Sequence, residues 1–259
     1  MISLFLENAH TSEREELLQL AESVISKTLS AKFGCPVFAC LDGTNDVVDL
    51  WGTRSQGIDV VQFKIKPADI PDKVVRQIIN RTKRAVSEKK ALEEYGRLRG
   101  DIGSNVTGEI FRINAVTREI LVKINNGMCK EWYGAFPLME QPPHERPKYA
   151  VGQELEFHVV GAEIITNGSS QVRITLTRRP LKFVEQLLYR KLFSQGEDLS
   201  HQKLRCTKRV PGSYSIVRAR AHIPRSIIDF AVKELKERVY ISLNGTKIQA
   251  VAKRSSNVR

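Results

Sequence analysis

Near residue 100 the apolar residues of this chain change period, and that change limits what it can fold into. Before it, apolar positions recur at helical spacing in two stretches. Leu17, Leu20, Ala21, Val24, Ile25 and Leu29 share one helix face, which Ser12 and Glu15 open as a capping box and Gly34 closes. Val75, Ile78, Ile79, Thr82 and Val86 form the stripe of a second helix, running from Pro71 outward to Gly96. Between them lie three β-prone runs, 36–41, 47–52 and 58–65. Hairpin residues Asp42-Gly43-Thr44-Asn45 separate the first two.

After residue 100 the period falls to two. Runs 106–113, 119–124, 130–136, 154–160 and 171–177 are strand candidates, and five short strands in so brief a span predict a small closed barrel of the OB type. From Pro180 the helical period returns in Phe183, Val184, Leu187, Leu188 and Leu192. Strands over 203–210 and 214–221 follow about a Pro211-Gly212 turn, then a helix over 224–236 and a strand over 239–243. The fold class expected is therefore α+β multidomain. Its parts are a small α+β N-terminal domain with a long connecting helix (1–99), a five-stranded barrel (100–180) and an α+β C-terminal module (181–259).

Charge separates these parts by function. The 259 residues include 41 Lys and Arg against 29 Asp and Glu, a net charge of +12. Residues 201–259 carry 14 basic and 3 acidic side chains, whereas residues 1–70 carry 6 and 10. So one-sided an excess points to a polyanion, most simply RNA or DNA. An OB-type barrel binds single strands through stacking rings and cations. Phe111, Trp132, Tyr133 and Phe136 are the candidate rings; Arg112, Lys123, Lys130 and Arg173 are the candidate cations. Half of a barrel's aromatics fill its interior, so at least one of Phe111, Trp132 and Phe136 is expected to be structural. In the C-terminal module the candidates are Lys203, Arg205, Lys208, Arg209, Arg218, Arg220 and Arg225, with Lys253 and Arg254 beyond. Strand alternation places Lys203, Arg205 and Arg209 on one face, and Arg218 and Arg220 likewise.

Other classes find no support. No run of eighteen apolar residues occurs, and the start MISLFLENAH lacks a basic region and a long apolar core, so neither a membrane span nor secretion is expected. Cys35, Cys40, Cys129 and Cys206 have no metal or disulfide spacing and read as reduced cytoplasmic thiols. His10, His144, His158, His201 and His222 never pair at metal-ligand spacing. Asp229, Glu234 and Glu237 fall on one expected helix as its solvated face rather than as a nuclease's carboxylate cluster. The expectation is a protein that is not an enzyme and that needs neither cofactor nor metal.

Four short motifs stand in order along the chain. The junction VVRQIINRTKRAVSEKKALEEYGRLRGDIGSNVTGEI joins a basic helix to Gly100 and Gly108, and KYAVGQELEFHV, ITLTRRPLKFVEQLL and KRVPGSYSIVRA follow. Together, over residues 70–243, they resemble the family of the bacterial transcription elongation, termination and antitermination factor NusA. That resemblance implies a polymerase-binding N-terminal domain, an S1 domain at 100–180 and a KH-like module at 181–259. It also implies RNA polymerase and nascent single-stranded RNA as partners, with other elongation factors or ribosomal proteins beside them. The chain departs from the family in lacking the Gly-x-x-Gly loop of a KH domain and any second KH domain. Such a shortened relative fits a phage or mobile-element origin as well as a cellular one. The alternative is an S1/KH-type RNA-binding protein of translation or RNA decay that does not touch polymerase.

Overall fold

Helix α1 (Thr11–Phe33) buries Leu17, Ala21, Ile25 and Leu29 of the stripe expected from spacing, leaves Leu20 and Val24 half-buried, and stops before Gly34. The described helix already includes Thr11, so Ser12 lies within it rather than ahead of it. The computed structural model describes residues 11–42, 47–56, 59–125, 132–196, 202–243 and 246–249. Strands β1 (Val37–Asp42), β2 (Val47–Gln56) and β3 (Asp59–Ile65) form an antiparallel sheet in chain order. Its core with α1 holds Val37, Leu41, Leu50 and Ile65.

Strand β1 lies at the sheet edge, where unpaired N–H groups invite foreign strands. Helix α1 answers them with polar residues spaced by four. Ser30 Oγ accepts from Val37 N–H (2.8 Å), Ser26 Oγ from Ala39 N–H (3.0 Å) and Glu22 Oε1 from Leu41 N–H (2.7 Å). Helix α2 (Asp72–Leu98) buries Val74, Thr82, Val86 and Ala91, with Ile78 packed against the core. Arg81 donates to Thr28 Oγ1 and Lys89 pairs with Glu16, both on α1.

Strands β4 (Asn105–Ile113), β5 (Ile120–Ile124), β6 (Trp132–Phe136), β7 (Glu154–Asn167) and β8 (Ser169–Thr177) close into a barrel in the order β4-β5-β6-β8-β7. β6 and β8 run parallel; the β4–β5, β5–β6 and β4–β7 pairs are antiparallel. β7 continues to Asn167, past the expected end at 160. The barrel's glycine at 108 is there for space: a Cβ would sit 2.5 Å from Val122 Cγ1 and 3.0 Å from the Lys123 carbonyl oxygen.

Helix α3 (Leu181–Ser194), strands β9 (Leu204–Val210) and β10 (Tyr214–Ala219), helix α4 (Arg225–Leu235), and strands β11 (Arg238–Leu243) and β12 (Thr246–Gln249) complete the described chain. They form a sheet ordered β12-β11-β10-β9; β10 and β11 are parallel, and β12 was not anticipated from sequence. Five α3 residues are buried, Phe183, Val184, Leu187, Leu188 and Leu192, each worth about 1.5–3 kcal/mol relative to exposure.

The chain divides into two compact units: residues 1–94 with 164–172, and residues 95–163 with 173–259. The barrel and the C-terminal module thus share one unit, while the tip of the β7–β8 hairpin belongs with the first. No helix among the described residues is long and apolar enough to cross a membrane.

Candidate nucleic-acid interface

Both helices of the C-terminal module cover the same side of its sheet. Phe183, Leu187 and Leu188 of α3 and Ile227, Ala231 and Leu235 of α4 pack on Leu204, Cys206, Val217, Ala219, Val239 and Ile241. Burial there pushes the Cys206 thiol up to about 11, so it stays neutral. The alternate residues point the other way, onto an uncovered face. β9, β10 and β11 contain no acidic residue.

On that face Arg205 and Arg218 are direct register partners. Tyr214 lies opposite Arg238, and Ile216 opposite Tyr240. The two tyrosine rings meet edge to face, with centroids 6.2 Å apart and planes at 71°. Lys208 Nζ stands 5.6 Å from the Tyr214 ring centroid. Lys203, Arg205, Lys208, Arg218, Arg220 and Arg238 are all exposed. None of the six meets a carboxylate in the ion pairs of the described residues. Tyr214, Tyr240 and Arg238 were not singled out from sequence. The alternation of Tyr214, Ile216 and Arg218 with Ser215, Val217 and Ala219 was the available signal.

Arg209 is a correction. A register shift between Ile216 and Val217 leaves Thr207 as an extra residue in β9. A bulge of this kind reverses the side on which following residues emerge. Lys208 therefore joins the open face and Arg209 turns inward, its side chain 1% exposed. Arg209 Nε donates to Glu237 Oε1 (2.9 Å), and its Nη1 to the carbonyls of Arg178 and Pro180 (2.7 and 3.1 Å). Glu237 also accepts from Gly212 N–H (3.0 Å) and Ser215 Oγ (2.6 Å). Gly212 has φ +82°, and a Cβ there would fall 2.4 Å from His144 Cγ, so no other residue fits without strain.

Beneath the module a second buried system joins it to the barrel. Arg178 is 1% exposed. It donates through Nε to Glu145 Oε2 (2.8 Å), through Nη1 to Glu234 Oε1 (2.8 Å) and to the Glu156 carbonyl, and through Nη2 to the Glu234 carbonyl (2.9 Å). Burial pushes the Glu145 carboxyl up, but the Arg178 guanidinium and the Tyr149 hydroxyl outweigh it and hold the group below its ordinary value. Burial and the neighbouring Glu145 carboxylate push Tyr149 up. Glu234 and Glu237, expected on a solvated helix face, are thus the partners of Arg178 and Arg209, Glu234 half-buried and Glu237 buried. Only Asp229 fits that expectation, lying 3.8 Å from the exposed Arg225. Arg225 sits on α4, on the covered side of the sheet, and does not join the open face.

The barrel candidates divide. Trp132 is 7% exposed, and Phe136 is fully buried against Phe157 and Tyr149, with ring centroids at 5.2 and 5.6 Å. Both are core residues because β6 lies between β5 and β8, with Tyr133 alone of its described residues turned partly outward. Phe111 is 52% exposed and meets Tyr133 edge to face at 5.4 Å. A register shift between Ile110 and Arg112 leaves Phe111 without a cross-strand partner on the outer surface, and Arg112 is exposed beside it. Lys123 is half-buried opposite Glu109. Arg173 is paired with Glu119 at 3.2 Å. Lys130, Lys253 and Arg254 lie outside the described residues. The barrel patch is therefore small and mixed in charge, whereas the C-terminal sheet face is broad and of one sign. No family model matches the chain, and no curated protein matches it significantly.

Proposed function

We propose that this chain is a NusA-like transcription factor that binds RNA polymerase through its first unit and nascent RNA through its second, modulating pausing, termination or antitermination without chemistry. The observation that carries this reading is the succession of parts. A helix-covered three-stranded sheet is followed by a barrel whose strand order is that of the OB and S1 type. An α-β-β-α-β-β module, KH-like in its first five elements, comes next, with Arg205, Lys208, Arg218 and Arg238 on one face of its sheet. The first unit adds a surface suited to protein rather than RNA. Opposite its core, Phe38 is 59% exposed and pairs across the sheet with Trp51, which Lys64 Nζ approaches at 5.5 Å. Exposed aromatic patches of this kind mark protein contacts. Such a factor acts by binding alternative states of the polymerase with different affinities.

The test is co-elution of the purified chain with purified bacterial RNA polymerase core enzyme. Association that is weakened by Trp51→Ala supports the reading. RNA binding without any polymerase association would instead assign the chain to translation or RNA decay.

A further inference from the structure

The open face of the C-terminal sheet offers more than positive charge. Arg205 and Arg218 face each other directly, an arrangement that costs stability in a sheet. Nothing among the described residues neutralises them, so the face is built for an anion supplied from outside. Next to them, Tyr214 and Tyr240 are half-buried, held at a fixed angle and flanked by Lys208 and Arg238. Carboxylates of an acidic protein would use the cations and leave the rings idle; a nucleic-acid strand uses both, with bases on rings and phosphates on cations. A duplex hides its base faces, so the strand must be single. Four-stranded sheets with exposed rings are one established way of stacking two or three bases.

We infer that the C-terminal module grips single-stranded RNA on this sheet face, with Tyr214 and Tyr240 stacking bases and Arg205 and Arg218 holding phosphates, in place of a Gly-x-x-Gly loop. The inference rests on reading the chain as an RNA-binding protein, and not on its contact with polymerase.

Two measurements on the full chain test it. The first is fluorescence anisotropy with a labelled oligouridine of about 12 nucleotides, longer than the two or three bases such a sheet stacks. The wild-type chain should bind it, and the paired change Tyr214→Leu with Tyr240→Leu should weaken binding about tenfold or more. Arg205→Gln with Arg218→Gln should also weaken binding, and should flatten the slope of log K against log salt by about 0.7 for each phosphate no longer neutralised. The second needs no variant. Photocrosslinking with 5-iodouridine RNA, mapped by mass spectrometry, should mark Tyr214 or Tyr240. RNA binding that survives the tyrosine changes, with crosslinks elsewhere, overturns the face while leaving the RNA-binding reading intact. Equal affinity for poly-L-glutamate overturns it in favour of an acidic protein partner. Failure of the wild-type chain to bind any RNA overturns both.

Discussion

Arg178 and Arg209 carry the same charge as Arg205 and Arg218 and do opposite work. The first two are enclosed with Glu145, Glu234 and Glu237; the second two stand free of carboxylates among the described residues. Removing one partner of a buried ion pair strands the other charge. Arg178→Leu or Arg209→Leu should therefore cost about 3–5 kcal/mol in urea unfolding, whereas Arg205→Gln or Arg218→Gln should cost nothing and slightly raise stability by relieving the opposed charges. The same contrast separates the rings: Phe136→Ala should cost about 3–5 kcal/mol, and Phe111→Ala little. Acid reports on Glu145. Its folded value lies below the ordinary 4.5, so ionised Glu145 contributes stability above that pH and the contribution is lost as pH falls through the lowered value. Glu145→Gln should be less stable at neutral pH and lose less on going below pH 4.5. None of this could be read from residue type. A lysine-arginine pair in a strand looks alike whether it faces solvent or core, and the bulge at Thr207 that decides the matter has no signature in TKRVPG.

At the scale of elements the sequence was far more legible. Helices and strands have periods of 3.6 and 2, and the apolar residues keep them, so α1, α3 and every barrel strand but β7 begin and end close to where spacing predicts. The motifs resembling NusA have a structural explanation as well. Arg178 and Pro180 of LTRRP, and Arg209, Gly212 and Ser215 of KRVPGS, all feed the two buried systems that join barrel and module. In this chain those residues fasten barrel to module. What spacing could not reveal was pairing across elements, such as the three α1 side chains that cover the edge of β1. Glu22→Ala leaves Leu41 N–H without its acceptor. It should lower stability by about 1–3 kcal/mol and promote concentration-dependent self-association, read by sedimentation.

For the whole molecule, the proposed division of labour follows the charge. The first seventy residues are net acidic and present an aromatic patch, while the last fifty-nine gather a cationic face with rings at its centre. A protein that only held RNA would have little use for the first of these surfaces. The most direct measurement is equilibrium binding of the labelled chain to a reconstituted elongation complex, compared with core polymerase lacking RNA and with the same RNA alone. A factor that holds both partners gains from their proximity, so binding to the elongation complex should be tighter than to either alone. Affinity for the complex no higher than for its free RNA would contradict the account.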